Sequence, residues 1–307
     1  MRNMGAIDRR AFVRQTLLGA AGLAAAGRAA AEKTGKPYAG VSAQTYVWSQ
    51  VLGRKNQKFE DHLDEILRVQ REAGYGGIET MAEVVATPER AEAFGALLER
   101  HKTRLSGLYS GAALHEREAA RAAIERLVGV ARRFRTLGCE VLVCNPDPIG
   151  REKTDAELDT QAAMLGELGR ALRETGATVH VHCHAPEMRS GGREFRSNLD
   201  KTDPADVFLN ADVNWIARGG CDPYDLLERY AARIGSTHLR NAADGIWTEA
   251  FGAGDIDYRR IKTSFDKSPH PVWLTVELAY EAQTRETRPL AENLAASRRY
   301  VREVFGC

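Results

Sequence analysis

Val272-Trp273-Leu274-Thr275-Val276-Glu277 is an apolar run that ends on a carboxylate, and three other segments repeat that design. They read Val179-His180-Val181-His182-Cys183-His184, Phe208-Leu209-Asn210-Ala211-Asp212 and Gly235-Ser236-Thr237-His238. Each is a short, strand-like stretch with a metal-binding side chain at its C-terminal end. In a closed barrel of parallel strands all such ends open onto one face, so residues distant in sequence converge there. The four segments therefore predict a barrel with His182, Asp212, His238 and Glu277 at one mouth.

The rest of the chain alternates in the same sense. Short apolar runs bounded by turn residues, as expected of strands buried on both faces, lie at 41–46, 77–79, 104–109, 140–144, 178–182, 207–212, 236–239 and 272–277. Helical periodicity fills 60–73, 88–101, 116–137, 155–174, 223–232 and 286–304. Gly74, Gly138 and Gly176 stand where left-handed helix ends precede strands. Eight strands interleaved with helices predict α/β architecture, a single (β/α)8 TIM barrel over residues 32–307. The rival is an open doubly wound sheet, but no Gly-x-Gly-x-x-Gly follows the first strand. The two longest irregular stretches, 183–203 and 241–257, both follow proposed ligands, where barrels carry substrate specificity.

Residues 1–31 read as a signal peptide rather than as part of the fold. Arg9-Arg10 precede Phe12 and a short Ala/Gly/Leu-rich run, and Ala29-Ala30-Ala31 offers a cleavage site. The pattern predicts a twin-arginine signal, the twin-arginine export machinery as a partner, and a periplasmic or secreted protein. The apolar run is shorter than the roughly 20 residues a spanning helix needs, so no stable membrane insertion is expected. Removing this segment takes five arginines and one aspartate, leaving 38 basic and 41 acidic side chains and a net charge of −3. No basic stripe remains for a phosphate backbone, which argues against nucleic acid as a partner. The five cysteines form no Cys-x-x-Cys pair and predict neither a zinc site nor a disulfide framework.

Two carboxylates and two imidazoles without thiolate make a mixed donor set. It suits one divalent ion, Mn²⁺ first with Mg²⁺, Co²⁺ or Zn²⁺ as alternatives, better than a structural zinc. Each residue also has a plainer role open to it. Asp212 could cap the turn that follows it, His238 could be a satisfied core histidine, and Glu277 could pair with Arg240.

Further motifs lie along the same frame: Gly74-Tyr75-Gly76-Gly77-Ile78-Glu79, His182-Cys183-His184, Asp212-Val213-Asn214-Trp215 with Gly219-Gly220 and Asp222-Pro223, His238-Leu239-Arg240-Asn241, and Gly252-Ala253-Gly254-Asp255-Ile256-Asp257. In their order and spacing the chain resembles the xylose isomerase-like TIM-barrel proteins, the sugar phosphate isomerases/epimerases, including exported members. The resemblance implies ligands from the ends of strands five to eight, here His182, Asp212, His238 and Glu277. Two departures stand out. Epimerases of that family carry a glutamate where this chain has His182, so only Glu277 of a facing pair remains. Glu187 is an acid nearby that could complement it. Arg240-Asn241 replaces a Lys-Asp common among relatives, and Arg240 could fork onto a substrate oxygen.

The implied chemistry is proton abstraction next to a carbonyl of a sugar or keto-sugar, with Glu277 as general base. Reprotonation gives isomerisation or epimerisation. Loss of a β-substituent would make the chain a lyase, or a hydrolase, of oxidised (3-keto) glycosides. Glu79, His184, Trp215, Arg240 and Trp247 are the expected substrate contacts. Two other readings compete: a DNA-repair endonuclease, disfavoured by the charge, and a non-catalytic periplasmic carbohydrate-binding protein. The chain shows no Gly-rich phosphate loop, with Gly252-Ala253-Gly254 only a weak echo of one, so a phosphorylated substrate is not expected.

Overall fold

A computed structural model describes residues 38–307; the signal segment expected over 1–31 lies outside the described residues. Eight parallel strands close into one barrel: β1 (Tyr38–Gln44), β2 (Gly77–Met81), β3 (Arg104–Ala112), β4 (Val141–Pro146), β5 (Thr178–Val181), β6 (Val207–Asp212), β7 (Ile234–Leu239) and β8 (Val272–Val276). They pair in chain order, with β8 returning to β1. The predicted (β/α)8 architecture is the one observed. Every residue of β4 and of β7 is buried, because a barrel strand meets helices on one side and the packed interior on the other.

Among the described residues ten α-helices surround the barrel: α1 (Tyr46–Arg54), α2 (Leu63–Glu72), α3 (Pro88–Arg100), α4 (Arg117–Arg135), α5 (Asp155–Glu174), α6 (Arg189–Asp200), α7 (Val213–Arg218), α8 (Pro223–Arg229), α9 (Tyr258–Asp266) and α10 (Leu290–Phe305). α5 shows why these segments are helical. Thr154 and Glu157 form a reciprocal capping box at its start, and Leu158, Ala162, Leu165, Leu168 and Leu172 turn one stripe inward. Each leucine buried this way contributes roughly 1.5–3 kcal/mol. Gly74, Gly138 and Gly176 all have positive φ, as their positions before strands require.

Three expectations are corrected. The stretch 183–203 is not irregular: it holds a 3-10 turn, Ala185–Met188, and then α6, whose start passes through left-handed Ser190, Gly191 and Gly192. The stretch 241–257 contains a small hairpin pairing Ala242–Ala243 with Ile246–Trp247. The first strand ends at Gln44, earlier than expected, and the chain passes directly into α1. No described helix is long and apolar enough to cross a membrane.

The ladder sets the site. Asp212 is the register partner of His238 across β6 and β7, and the Glu277 amide donates to the Leu239 carbonyl. The His182 amide donates to the Cys144 carbonyl in the same way. Four ligand-type side chains thus share one layer at the C-terminal mouth. Beneath them lies a polar layer: Ser42 bonds Thr275, and Ser236 takes both His180 and Asn210, whose Oδ1 has no partner among the described residues. Gly235 makes room for that His180 ring, since a Cβ there would lie 2.5 Å from its Cε1.

Candidate metal centre

His182, Asp212, His238 and Glu277 are all buried, and each offers one ligand atom within 4.8 Å of the others. His238 Nδ1 lies 3.1 Å from Glu277 Oε2, and His182 Nε2 lies 3.4 Å from Asp212 Oδ2. Neither nitrogen has a hydrogen-bond partner among the described residues. A buried ring nitrogen without a partner is costly, and it calls for an explanation such as an ion.

The outward nitrogens are held. His238 Nε2 meets Glu79 Oε1 at 2.6 Å, and His182 Nδ1 meets Asn145 Oδ1 at 3.2 Å. Each imidazole is thereby steered to present its other nitrogen to the cluster, the usual support for a ligating histidine. The donor set and the two orphaned nitrogens fit a divalent cation.

Arg240 completes the cluster from within. Its Nη2 lies 2.5 Å from both Asp212 Oδ2 and Glu277 Oε2. The remaining Asp212 oxygen, Oδ1, accepts from the Trp215 amide and caps α7. The plainer roles open to Asp212 and Glu277 are therefore both real and coexist with the cluster.

Burial alone would raise both carboxyls. Arg240 with His182 outweighs it at Asp212, and Arg240 with His238 at Glu277, so both sit below the usual carboxylate range. Burial would lower His238, but Glu79 and Glu277 outweigh it and raise that imidazole well above its usual value. At His182 burial wins and the ring is held toward neutrality. His184 is pushed down to about 3, by burial first and by His182 second.

The expected substrate contacts fall into two groups. His184, Trp215 and Trp247 run outward from the cluster as a chain of edge-on rings, 4.7 Å from His182 to His184, 5.1 Å to Trp215 and 5.2 Å to Trp247. Trp215 and His184 are half-buried, while Trp247 is buried, with its indole N–H donating to Asn214. The Arg240 guanidinium lies 4.6 Å from the Trp247 ring. Glu79, by contrast, is engaged with His238. Glu187 is buried and closes the 3-10 turn by accepting from the His184 amide; no hydrogen bond or ion pair among the described residues joins it to the four. Its other oxygen is buried without a partner, and burial raises its carboxyl.

Two residues were missed from the sequence. Tyr109, on β3, packs its ring 5.4 Å from His182 and 6.5 Å from His238, and its hydroxyl has no partner among the described residues. Asn145, on β4, holds His182. Both lie near the C-terminal ends of apolar runs, the same signal that marked the four ligands.

A cavity of about 1160 Å³ lies at the opposite mouth of the barrel, beside Arg104, Thr178, His180 and Trp273. Both nitrogens of His180 are taken there, by Thr178 and Ser236. None of the four ligand-type residues and none of the expected substrate contacts lines the cavity.

The fold has known counterparts. The profile of the xylose isomerase-like TIM barrel matches residues 67–304, and the chain belongs to that enzyme family. An inosose dehydratase from Geobacillus kaustophilus is 25% identical over 245 residues, covering 74% of this chain and 77% of that protein. Among solved structures, a sugar phosphate isomerase/epimerase from Parabacteroides distasonis superposes with a TM-score of 0.68 at 18% identity, over 90% of this chain and 95% of that one. The D-psicose 3-epimerase of Clostridium cellulolyticum, solved with D-tagatose, gives 0.69 at 10% identity, over 87% and 100%. These structural likenesses speak to the fold alone.

Proposed function

We propose that this chain is a divalent-metal-dependent enzyme that removes the proton next to a carbonyl of a sugar or keto-sugar, and that loss of a β-substituent follows. A divalent ion held by His182, Asp212, His238 and Glu277 would supply Lewis acidity toward the substrate oxygens. The observation that carries the reading is the state of the three carboxylates. Glu79 is committed to His238, and Asp212 to Trp215 and Arg240. Glu277 gives Oε2 to Arg240, while Oε1 has no partner among the described residues and the side chain keeps 11% exposure.

Of the three carboxylates, Glu277 is the one whose free oxygen sits on a side chain with appreciable exposure, 11% against 2% for Glu79. Glu277 takes the α-proton through Oε1. Tyr109 stands beside the ligands with an uncommitted hydroxyl that burial, and after it Glu277, keeps protonated. It returns a proton to the departing hydroxyl, so that water leaves and a carbon–carbon double bond forms. His184 and Trp215 line the approach, the indole offering a flat face to the C–H side of a ring.

A single base with a separate acid favours elimination over two-base epimerisation, in keeping with His182 standing where a second glutamate would be needed. The dehydratase among the relatives supports the same choice. One-base isomerisation is the second reading, since Glu277 could return its own proton to the neighbouring carbon. Incubating Mn²⁺-loaded protein with keto-inositols and 3-keto glycosides in D₂O, followed by proton NMR, tests both. An unsaturated product, with deuterium at the α-carbon of any recovered substrate, supports elimination, and deuterium in an isomer supports the second reading. No deuterium in any substrate, together with no unsaturated or isomeric product, rejects the proton abstraction. We also propose that residues 1–31 direct twin-arginine export to the periplasm, which fractionation of cells expressing the Arg9→Lys/Arg10→Lys chain would test.

A further inference from the structure

We infer that Arg240 is a built-in competitor for the metal: its guanidinium occupies the same two carboxylate oxygens through which the cluster would hold a divalent ion. The inference rests on the metal-site reading above. Nη2 of Arg240 bonds Asp212 Oδ2 and Glu277 Oε2 at once, at 2.5 Å each. Those two oxygens also face the orphaned histidine nitrogens, Oδ2 toward His182 and Oε2 toward His238. Asp212 has no other oxygen to offer, because Oδ1 is taken by the Trp215 amide. A cation entering the cluster must therefore share Oδ2 with Arg240 or displace it.

Sharing is costly. It sets a monovalent cation beside a divalent one in a buried site, where like charges repel far more than in water. Displacement breaks two charge-assisted hydrogen bonds, which are about twice as strong as neutral ones. Either way the ion binds more weakly than it would to the same four ligands alone. The arrangement serves the metal-free protein, since Arg240 adds a counter-charge beside His238 for two adjacent buried carboxylates. Arg240 is also well anchored: Tyr258 donates to its carbonyl, and its guanidinium lies over the Trp247 and Trp215 rings at 4.6 and 5.5 Å. Arg240 is thus a positioning residue that sets metal affinity.

The test is calorimetric titration of the full chain with Mn²⁺, beside melting curves with and without the ion. Arg240→Met should bind Mn²⁺ at least about tenfold more tightly than the wild type, while its metal-free form melts lower. Arg240→Lys, whose single ammonium replaces the planar fork, should fall between the two. Arg218→Met is the control for loss of a nearby charge. Arg218 lies 4.3 Å from Trp247 but pairs with Glu281 rather than with the ligands, so its affinity should stay within about twofold of wild type. Equal or weaker Mn²⁺ binding by both Arg240 variants, with the wild type binding normally, would overturn the competition and leave the metal site standing. An Arg218 effect as large as that of Arg240 would overturn it too. Absence of binding in every protein would instead remove the metal site itself, and this inference with it. Should the Met variant fail to fold without metal, the Lys variant decides: binding no tighter than wild type counts against the competition.

Discussion

Glu79 and His238 are separated by 159 residues, yet they meet across the barrel at 2.6 Å, Oε1 to Nε2. The contact decides which ring nitrogen faces the ligand cluster. With Nε2 held by the carboxylate, Nδ1 is the nitrogen left to bind an ion. Shortening or neutralising Glu79 should therefore loosen the metal without touching a ligand. Glu79→Gln is expected to weaken Mn²⁺ binding by about 10–100-fold, the usual cost of losing such a support. Titration calorimetry reads this directly, and unchanged affinity would mean that Glu79 serves only the substrate.

A pH dependence follows from the same contact. Glu79 and Glu277 raise His238 well above its unfolded value of about 6.5, against the opposing effect of burial. A raised histidine stabilises the metal-free fold fully below about pH 6.5, and that contribution is lost as pH climbs through the folded value. Metal binding needs the ring deprotonated, so the two trends oppose each other. The metal-free melting temperature should fall on moving from pH 6 to pH 9, while Mn²⁺ affinity rises. Calorimetry in buffers of different ionisation enthalpy should show about one proton released per ion bound at neutral pH. Pairing free of proton release would show that His238 is already neutral.

How much of this was legible in the sequence depends on what each residue answers to. β6, Val207–Asp212, and α5, Asp155–Glu174, were read to the residue, because a short, mostly apolar run and a long apolar stripe behind an acidic helix start leave local traces. α1 was missed: Thr45 gives it no side-chain cap, and its Tyr-Val-Trp start reads as strand. α6 was hidden by Gly191-Gly192 and by having only Phe195 and Leu199 as large buried apolar anchors. The ligand set was visible because each member ends an apolar run. Glu79 was noticed but given to substrate, since nothing local announces a partner on a strand five positions later. Arg240 was offered either a carboxylate or the substrate, and only the closed barrel shows it bridging two carboxylates.

Glu277 carries the chemistry in this account, through the oxygen that Arg240 leaves free. Glu277→Gln should lower turnover by about 10²–10⁴-fold and abolish solvent deuterium incorporation at the α-carbon. The melting curve in acid offers a second readout. Arg240 and His238 outweigh burial and hold the Glu277 carboxyl down to about 2. The stability this provides is present above the unfolded value of about 4.5 and is lost as pH falls toward 2, so Glu277→Gln should flatten that part of the profile. A variant that still washes in deuterium at the wild-type rate would shift the base to another residue.

Tyr109→Phe separates acid from base. The ring that packs on His182 is preserved, and only the hydroxyl is lost. Elimination should slow by about 10²–10⁴-fold for a hydroxide leaving group, while α-proton exchange persists. A substrate whose leaving group needs no proton, such as a β-fluoro analogue, should restore most of the rate. Equal losses for both leaving groups would reduce Tyr109 to a packing residue.

The account turns on one cation among four side chains, and anomalous X-ray diffraction at the manganese edge from crystals grown with Mn²⁺ shows it most directly. The expected result is a single peak bonded to His182 Nε2, Asp212 Oδ2, His238 Nδ1 and Glu277, with the Arg240 guanidinium shifted from its present bridge. A peak elsewhere, or none at this mouth of the barrel with Arg240 still bridging both carboxylates, would contradict it.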